Sequence, residues 1–195
     1  MVPDVPIEFS SSISRLRLDT FTVVYVISFS RDEPVAAMIE AARRLPHIKF
    51  LMTGRPSRAH RLLAKEFPPN LSLTGFLDTN TYGDLLRQAG VVVALTTDDH
   101  TMQRAAYEAI YQGTPVIVSD HQLLKRAFDD GAVHVDNSPD AIVAAVRRVR
   151  ENANSFRQAA CRLRARKAQR WLETKSELTN AIEQRVRRSP GTARR

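Results

Sequence analysis

The chain of 195 residues, 43% hydrophobic and 26% charged, has the composition of a globular domain. It has no apolar run near the roughly 18 residues of a membrane helix, and its first residues lack the basic start and apolar block that are typical of a signal peptide. Its single cysteine, Cys161, excludes an intramolecular disulfide and a cysteine-rich zinc site, which fits a reducing cytoplasm. The net charge of +8 comes from residues 141–195, which carry 15 Lys/Arg and 4 Asp/Glu, and therefore describes a basic tail instead of the whole chain.

Residues 1–20 hold Pro3, Pro6 and a serine run without sustained periodicity, which predicts a linker or loosely attached lead-in. From residue 21 to residue 152, short apolar runs alternate with amphipathic helical patterns. Six strands alternating with six helices indicate an α/β domain with a doubly wound, parallel, six-stranded sheet. The predicted strands are residues 22–27, 48–53, 71–74, 91–96, 115–119 and 132–135. The predicted helices are residues 34–45, 57–67, 79–89, 103–111, 122–128 and 139–152.

Residues 153–195 form a predicted C-terminal helical extension. Apolar residues at helical spacing continue through Phe156 to Trp171, and on another face Arg162 begins a row of arginines every four residues, to Arg170. The pattern predicts one long or two shorter amphipathic helices. The apolar stripe favours docking of a protein partner, the arginines favour an anionic membrane surface, and a solvated helix is the remaining interpretation. Nucleic acid is not favoured, because aromatic residues are not interleaved with the basic ones.

Residues 96–120 hold the candidate site. An apolar strand ends in two threonines, a short polar loop follows, and the next helix carries Glu108. A Gly-Thr-Pro turn at residues 113–115 then leads directly into another apolar strand. Such a unit places its loop and helix N-terminus at the carboxyl edge of a parallel sheet, where open α/β folds bind nucleotides. A ligand site is therefore expected here.

Other site chemistries lack their motifs. The first strand is not followed by Gly-x-Gly-x-x-Gly, and the chain contains neither a P-loop nor a Gly-x-Ser-x-Gly nucleophile elbow. The five histidines show no ligand spacing such as His-x-x-x-His, so a metal site is not expected.

The order of these elements, with a glutamate on the helix after the fourth strand and Gly-Thr-Pro-Val at residues 113–116, resembles the C-terminal, donor-binding half of GT-B glycosyltransferases of the group-1 type. The resemblance covers residues 21–150, with further support from Met-Thr-Gly at residues 52–54 and Leu-Thr-Gly-Phe-Leu at residues 73–77. It implies a Rossmann-like fold and a metal-independent transferase without a cofactor. The implied substrate is a UDP-, GDP- or ADP-sugar, whose hexosyl group passes to a glycan or a lipid-linked acceptor.

In that family two glutamates eight residues apart frame the donor loop. The second binds the nucleotide ribose, and the first approaches the transferred sugar. Glu108 matches the second, and a carboxylate is well suited to accept two hydrogen bonds from ribose hydroxyls. His100 occupies the first position, so the resemblance makes His100 the catalytic candidate, with Asp99 or Asp98 as a displaced carboxylate.

The family also places an arginine and a lysine after the first strand to neutralise the diphosphate. Here Ser28 and Glu33 occupy those positions, within a Ser-Phe…Asp-Glu-Pro stretch similar to that of a subgroup of these transferases. Arg31 is the nearby cation; otherwise the phosphates rely on backbone N–H groups and the helix dipole at residues 102–105. The base is expected at the backbone of residues 76–77. The implied donor-binding residues are Glu108, Arg31, Gly54, Phe76, Leu77, Thr97, Met102, Gln103, Arg104 and Ala105.

Each position also has a plainer interpretation. Glu108 is otherwise a solvent-facing helix residue, and Arg31 is otherwise paired with Asp32 or Glu33. Gly54 and Gly75 otherwise serve only backbone turns. These alternatives stay open in the sequence.

GT-B transferases place catalysis between two Rossmann-like domains, and a chain of 195 residues accommodates one of them. We expect the acceptor-binding N-terminal domain to act in trans, or to be missing because the chain is a truncated product. The tail then docks that domain or holds the protein peripherally at the inner face of a membrane. The alternative function is a non-catalytic nucleotide-binding or scaffold module, whose basic tail binds a membrane or a partner.

Overall fold

The structure is a computed structural model that describes residues 5–9, 17–55 and 67–188. The chain divides into two compact units, Ile7–Arg164 and a second unit that comprises Met1–Pro6 and Ala165–Arg195. The helix predicted over residues 57–67 lies outside the described residues, apart from Phe67.

The described part of the unit Ile7–Arg164 is built on a sheet of six parallel strands. The strands are β1 (Thr22–Tyr25), β2 (Lys49–Thr53), β3 (Leu71–Gly75), β4 (Val91–Ala94), β5 (Val116–Ser119) and β6 (Ala132–Val135). The described helices are α1 (Val35–Arg43), α2 (Thr79–Gln88), α3 (Arg104–Tyr111), α4 (Gln122–Phe128), α5 (Pro139–Glu151) and α6 (Ala153–Arg188). The strand order is β3-β2-β1-β4-β5-β6, which confirms the predicted doubly wound α/β fold.

The two central strands are buried on both faces. All four residues of β1 and all four of β4 are buried, as expected for parallel strands covered by helices. Side chains alternate between the faces, so Val23 and Val93 pack with α1 and α5, whereas Val24 and Val92 pack with α2, α3 and α4. Each buried valine contributes roughly 1.5–3 kcal/mol. Because β1 and β4 are neighbours but not consecutive, a topological switch point lies between their carboxyl ends, where α/β folds form a ligand crevice.

Strands β1 and β4 each end two residues earlier than predicted. Beyond the end of β1 the N–H of Val26 still donates to the carbonyl oxygen of Val93 at 3.2 Å, but further along each segment the backbone N–H groups donate to side-chain acceptors. The N–H of Ile27 donates to Thr53 Oγ1 at 3.2 Å, and the N–H of Thr96 donates to Ser119 Oγ at 2.9 Å. A hydrophobic pattern contains no signal for such bonds, which redirect the chain at the edge where ligands bind.

Side-chain caps determine where two helices begin. Asp78 accepts hydrogen bonds from the N–H groups of Asn80 and Thr81 at the start of α2, and Ser138 accepts one from Ala141 at the start of α5. Each cap satisfies N–H groups that have no partner within the helix and contributes about 1 kcal/mol. Helix α2 therefore begins close to the carboxyl end of β3, and its first turns reach the candidate site.

The beginning of α6 and the lead-in pack against the helix layer that covers one face of the sheet. Ala160 and Leu163 are buried there, and Arg157 Nη2 donates to the carbonyl oxygen of Ala89 at 2.8 Å. Phe9 packs against the same apolar cluster. The compact unit therefore includes residues on both sides of the predicted domain limits.

Helix α6 has 36 residues, and its residues from Ala165 onward belong to the second unit. The predicted C-terminal helical extension is confirmed as a single long helix. Leu172, Leu178 and Ile182 are exposed on it. Among the described residues, no helix is both long and apolar enough to cross a membrane.

His134 on β6 leads to a prediction about pH. Its Nε2 is buried and has no hydrogen-bond partner among the described residues, and burial lowers the pKa of the imidazole. An unfolded histidine has a pKa of about 6.5, so near and below that pH the unfolded chain binds the proton more readily than the folded chain. We expect this contribution to the free energy of unfolding to be complete above about pH 6.5 and to decrease as the pH falls further.

Urea unfolding of the wild type and of the His134→Leu variant, from about pH 7.5 down to about pH 5, measures this loss. The variant should lose less stability on acidification than the wild type. A His47→Gln variant, which removes an exposed histidine, is the control and should behave like the wild type. Equal losses in all three proteins would contradict the prediction.

Candidate functional site

A cleft of about 360 Å³ opens at the carboxyl edge of the sheet in the unit Ile7–Arg164. Its walls come from the ends of β1, β2 and β3, from α2 and α3, and from the lead-in. Of the predicted site residues, Gly54, Phe76, Leu77, Arg104 and Glu108 line it. The other lining residues are Phe9, Ile27, Thr53, Arg55, Gly75, Thr79 and Tyr82. The predicted residues Arg31, Thr97, Asp99, His100, Met102, Gln103 and Ala105 are not among those described as lining it.

Glu108 presents its carboxylate to this cleft from α3. The side chain is only 12% exposed. Oε1 accepts a hydrogen bond from Arg104 Nε at 2.9 Å, and Oε2 accepts one from the Tyr82 hydroxyl at 2.7 Å. Glu108 is therefore not a solvent-facing helix residue. Each carboxylate oxygen can accept more than one hydrogen bond, so the group retains capacity for a ligand.

Tyr82 reaches Glu108 from α2. Burial, together with the neighbouring Glu108 carboxylate, raises the pKa of the Tyr82 phenol. The phenol is therefore protonated at neutral pH and donates its hydrogen to the carboxylate. This contact joins α2 to α3 across the floor of the cleft.

Two glycines with positive φ shape the cleft. Gly54 has φ +112°, and a Cβ at this position would lie 2.9 Å from the carbonyl oxygen of Ile27 and 2.8 Å from the ring of Phe29. Gly75 has φ +72°, and a Cβ there would find nothing within 4 Å. Gly54 is required both by its backbone conformation and by close packing, whereas Gly75 is required by its backbone conformation alone and leaves the cleft open.

Phe76 and Leu77 form the rim after β3. The Phe76 side chain is 79% exposed, which is unusual for a large aromatic residue. Leu77 packs partly against the apolar cluster formed by α2 and α3. The rim therefore presents one exposed aromatic face on a fixed backbone.

In the loop between β1 and α1, the carboxylate of one loop residue accepts hydrogen bonds from the backbone N–H groups of the same loop. Glu33 accepts hydrogen bonds from the N–H of Ser28 at 2.8 Å and from the N–H of Ser30 at 2.9 Å. The Ser28 hydroxyl donates to it at 3.2 Å, and Phe29 between them has φ 60°. The residue at the position of the family's lysine is thus an acid that occupies the loop amides. Among the described contacts Glu33 is not paired with Arg31, which is exposed.

Asp32 joins this loop to the end of β4. Its Oδ1 accepts from the Ser30 hydroxyl at 2.5 Å and its Oδ2 from Thr96 Oγ1 at 2.9 Å. The Ser30 hydroxyl is the main reason why the pKa of Asp32 is lowered. The N–H of Thr97 donates to the carbonyl oxygen of Asp32 at 2.7 Å. The predicted residue Thr97 therefore serves the connection between the two loops.

The end of β4 is held by β5 and by the loop after β6. Ser119 Oγ accepts from the N–H of Thr96 at 2.9 Å and donates to Asn137 Oδ1 at 2.7 Å. The carbonyl oxygen of Thr96 accepts from Asn137 Nδ2 at 2.8 Å and from His121 Nε2 at 3.0 Å. Thr96 and Ser119 are fully buried. This network determines where the loop leading to α3 leaves the sheet.

The catalytic candidates lie on the surface of that loop. The side chain of His100 is 92% exposed, and its Nε2 lies 3.3 Å from Asp99 Oδ1. The N–H of His100 donates to Asp98 Oδ1 at 2.9 Å, which lowers the pKa of Asp98.

Helix α3 begins after Gln103, which provides no side-chain cap. Among the described residues, no group of three or more His, Cys, Asp and Glu is arranged to hold a metal ion.

Reasoning from the sequence missed Tyr82 and Phe9. Tyr82 lies 26 positions before Glu108, and nothing in the spacing connects the two. The available signal was Gly83, because a glycine inside a helix costs about 1 kcal/mol relative to alanine and so marks a close approach.

No match was found among curated protein sequences. Among solved structures, sucrose-phosphate synthase from Thermosynechococcus elongatus is similar, with a TM-score of 0.73 and 20% identity over 89% of this chain and 47% of that chain. Anabaena HepE in complex with UDP-glucose has a TM-score of 0.70 and 14% identity over 85% of this chain and 49% of that chain. Trehalose 6-phosphate synthase from Burkholderia multivorans has a TM-score of 0.65 and 13% identity over 87% of this chain and 44% of that chain. These similarities establish the fold, and this chain spans about half the length of those structures.

The strand order and the cleft at the carboxyl edge define the class of the protein as a Rossmann-like α/β domain. Its sequence matches the family of glycosyl transferases group 1 over residues 6–169. The chain belongs to this family. The resemblance to the C-terminal half of a group-1 GT-B enzyme is thereby confirmed.

The buried network at Thr96 leads to a prediction about stability. A Ser119→Ala variant leaves the N–H of Thr96 and Oδ1 of Asn137 without this partner, and an unsatisfied buried polar group costs about 1–3 kcal/mol. Urea unfolding should show a loss of that size. A Ser176→Ala variant on the exposed face of α6 is the control and should change stability by less than about 0.5 kcal/mol. Similar effects of the two substitutions would refute the proposed importance of the network.

Proposed function

We propose that this chain binds the nucleotide-diphosphate sugar of a metal-independent glycosyltransferase and forms the donor-binding half of that enzyme. One observation carries the proposal: Glu108, on the helix after β4, presents a carboxylate to a cleft at the carboxyl edge of a doubly wound sheet. Open α/β sheets bind nucleotides at this edge. Membership of the group 1 glycosyl transferases supports the same class of ligand.

In this proposal the ribose hydroxyls donate to Glu108. Tyr82 and Arg104 already donate to its two oxygens, at 2.7 and 2.9 Å. They hold the carboxylate in one orientation and compensate for its removal from water. A hydrogen bond to a charged acceptor contributes about 1.5–3 kcal/mol, so the ribose contact supplies a large part of the affinity.

The base lies against Phe76 and the backbone of Leu77 in this proposal. The exposed Phe76 ring offers a face for stacking, which contributes about 1–3 kcal/mol per base in nucleic-acid complexes. Gly75 leaves open space beside it. The cleft volume of about 360 Å³ falls within the range of small-molecule sites.

The diphosphate is proposed to bind at the start of α3. The amides of the β1–α1 loop are engaged by Glu33, so that loop is a poor anion site in the observed conformation. Gln103 provides no side-chain cap, and the N-terminal amides and dipole of α3 therefore suit a phosphate. Arg104, whose side chain is 83% exposed, and Arg31 are the proposed cations.

The transferred hexose is proposed to contact His100 and Asp99, which lie on the loop that leads into α3. Both side chains are largely exposed, so in this proposal they contact the sugar once an acceptor-binding domain covers the loop. We propose that such a domain completes the site, because the similar solved structures are about twice as long as this chain. Its acceptor is a glycan or a lipid-linked molecule.

The second unit supports a peripheral location for the complex. Leu178 and Ile182 are exposed on α6 beside the basic residues Lys175 and Arg185. A helix of this composition suits either the acceptor-binding domain or the anionic inner face of a membrane in the cytoplasm.

A non-catalytic nucleotide-binding module is the second candidate function. Glu33 and His100 replace the lysine and the glutamate of the family, so the phosphate-binding cation and the sugar-contacting carboxylate are both absent from these positions. Hexose transfer from UDP-glucose, assayed with an acceptor-binding domain supplied, distinguishes the candidates. Binding without transfer favours the module.

Nucleotide binding tests what the two candidates share. UDP, GDP or ADP at millimolar concentration should raise the melting temperature of the wild-type protein. A Glu108→Gln variant should bind the best of the three about tenfold to hundredfold more weakly by calorimetry, since it lacks the charge that accepts the ribose hydroxyls. A Glu173→Gln variant, altered on the exposed part of α6, should bind like the wild type. The proposal fails if none of the three nucleotides shifts the melting temperature.

A further inference from the structure

The lead-in segment contributes an aromatic side chain to the wall of the cleft. Phe9 lines the cleft, although it lies well before the first strand in the sequence. The carbonyl oxygen of Ile7 accepts a hydrogen bond from Gln112 Nε2 at 3.3 Å, which ties the segment to the residue that follows α3. Residues 7–9 are therefore attached to the structure that carries Glu108.

Phe9 packs directly on the backbone of α2. A Cβ on Gly83 would lie 2.4 Å from Cβ of Phe9 and 2.5 Å from its ring, so only glycine allows this contact. The adjacent Tyr82 ring meets the Phe9 ring edge to face, with centroids 5.7 Å apart and an angle of 82° between the planes. Such pairs contribute about 0.5–1.5 kcal/mol beyond the area they bury. Phe9 thus restricts the movement of the Tyr82 ring.

Tyr82 and Arg104 together determine the plane of the Glu108 carboxylate. The Tyr82 hydroxyl holds Oε2 and Arg104 Nε holds Oε1, one contact to each oxygen. Arg104 is a weak restraint because its side chain is 83% exposed. The partly buried Tyr82 phenol is the stronger restraint, since its ring packs against Phe9 and its hydroxyl is protonated. Loss of that hydroxyl leaves the carboxylate free to rotate about its last side-chain bond.

We propose that Tyr82 is a positioning residue for Glu108, and that Phe9 supports Tyr82 in this role, so that the lead-in segment is part of the ribose site. The inference rests on the proposed function, because it assigns the ribose hydroxyls of the nucleotide to Glu108. Its consequence is selective: Tyr82 affects how well the protein distinguishes a ribose from a sugar without hydroxyls, and leaves the base and phosphate contacts unchanged.

The test compares the affinities of UDP and 2′,3′-dideoxy-UDP by calorimetry, on the full chain. Wild type should prefer UDP. A Tyr82→Phe variant keeps the ring that packs on Phe9 and should reduce this preference roughly three- to tenfold, through weaker binding of UDP alone. Phe9→Leu should reduce it in the same direction by a smaller factor. Glu108→Gln, which removes the acceptor itself, provides the reference for complete loss.

A matched control separates positioning from general destabilisation. Tyr25 is a fully buried tyrosine, whose hydroxyl donates to the carbonyl oxygen of Met38 at 2.9 Å, away from the cleft. Tyr25→Phe removes a phenolic hydrogen bond that is more deeply buried than that of Tyr82 and should leave the preference for UDP unchanged. A Tyr25→Phe variant that loses the preference as Tyr82→Phe does would overturn the inference.

The remaining outcomes are distinct. If wild type prefers UDP and Glu108→Gln loses that preference while Tyr82→Phe keeps it, the inference is wrong and the proposed function stands. If Tyr82→Phe weakens UDP and dideoxy-UDP equally, Tyr82 has only a structural role and the inference is again wrong. If wild type binds both nucleotides equally, Glu108 does not hold a ribose, and the proposed ribose contact fails together with the inference. If wild type binds GDP or ADP instead of UDP, that nucleotide and its 2′,3′-dideoxy form replace the UDP pair in the comparison. If none of the three nucleotides binds, the proposed function fails.

Discussion

The buried end of β4 constrains the whole carboxyl edge of the sheet. Thr96 is fully buried, and beyond Ala94 the backbone no longer pairs in the sheet, so its N–H and carbonyl groups need other partners. Ser119 and Asn137 provide them from the two following strand ends, and Asp32 binds the threonine hydroxyl from the loop after β1. Loops from four strands therefore meet at one residue. This requirement determines where the chain leaves the sheet and hence where α3 presents Glu108.

Two carboxylates near this edge have opposite roles because their surroundings differ. Glu33 accepts backbone N–H groups within its own loop, so its charge is satisfied internally and stabilises the loop. Glu108 is held from the sides by Tyr82 and Arg104, and its oxygens retain capacity toward a cleft. The first arrangement removes an anion site, and the second preserves a hydrogen-bond acceptor for hydroxyl groups. In the proposed function, the two arrangements together favour recognition of a sugar diol over recognition of phosphate at the β1–α1 loop.

Much of the fold follows from local properties of the chain. Apolar runs without alternation are typical of strands covered by helices on both faces, such as β4 and β5, and Asp78 and Ser138 stand where α2 and α5 begin. The ends of β1 and β4 were placed two residues too far, because the N–H groups of Ile27 and Thr96 donate to side chains from other strands. Hydrophobic periodicity describes the faces of an element well. It describes the ends poorly, since these depend on polar partners that are distant in the chain.

The features of the candidate site also fall into two groups, those that the sequence determines and those that only the tertiary structure decides. The sequence by itself determined the α/β class, the helix that carries Glu108, the Gly54 and Gly75 turns and the replacement of the family's lysine by Glu33, because each is a matter of residue type at a local position. Only the tertiary structure decided that Glu33 folds back onto loop amides, that His100 is exposed, and that Phe9 and Tyr82 converge on Glu108. Packing of α2 against α3 brings Tyr82 and Glu108 together across 26 positions, and no pattern within one element contains that contact.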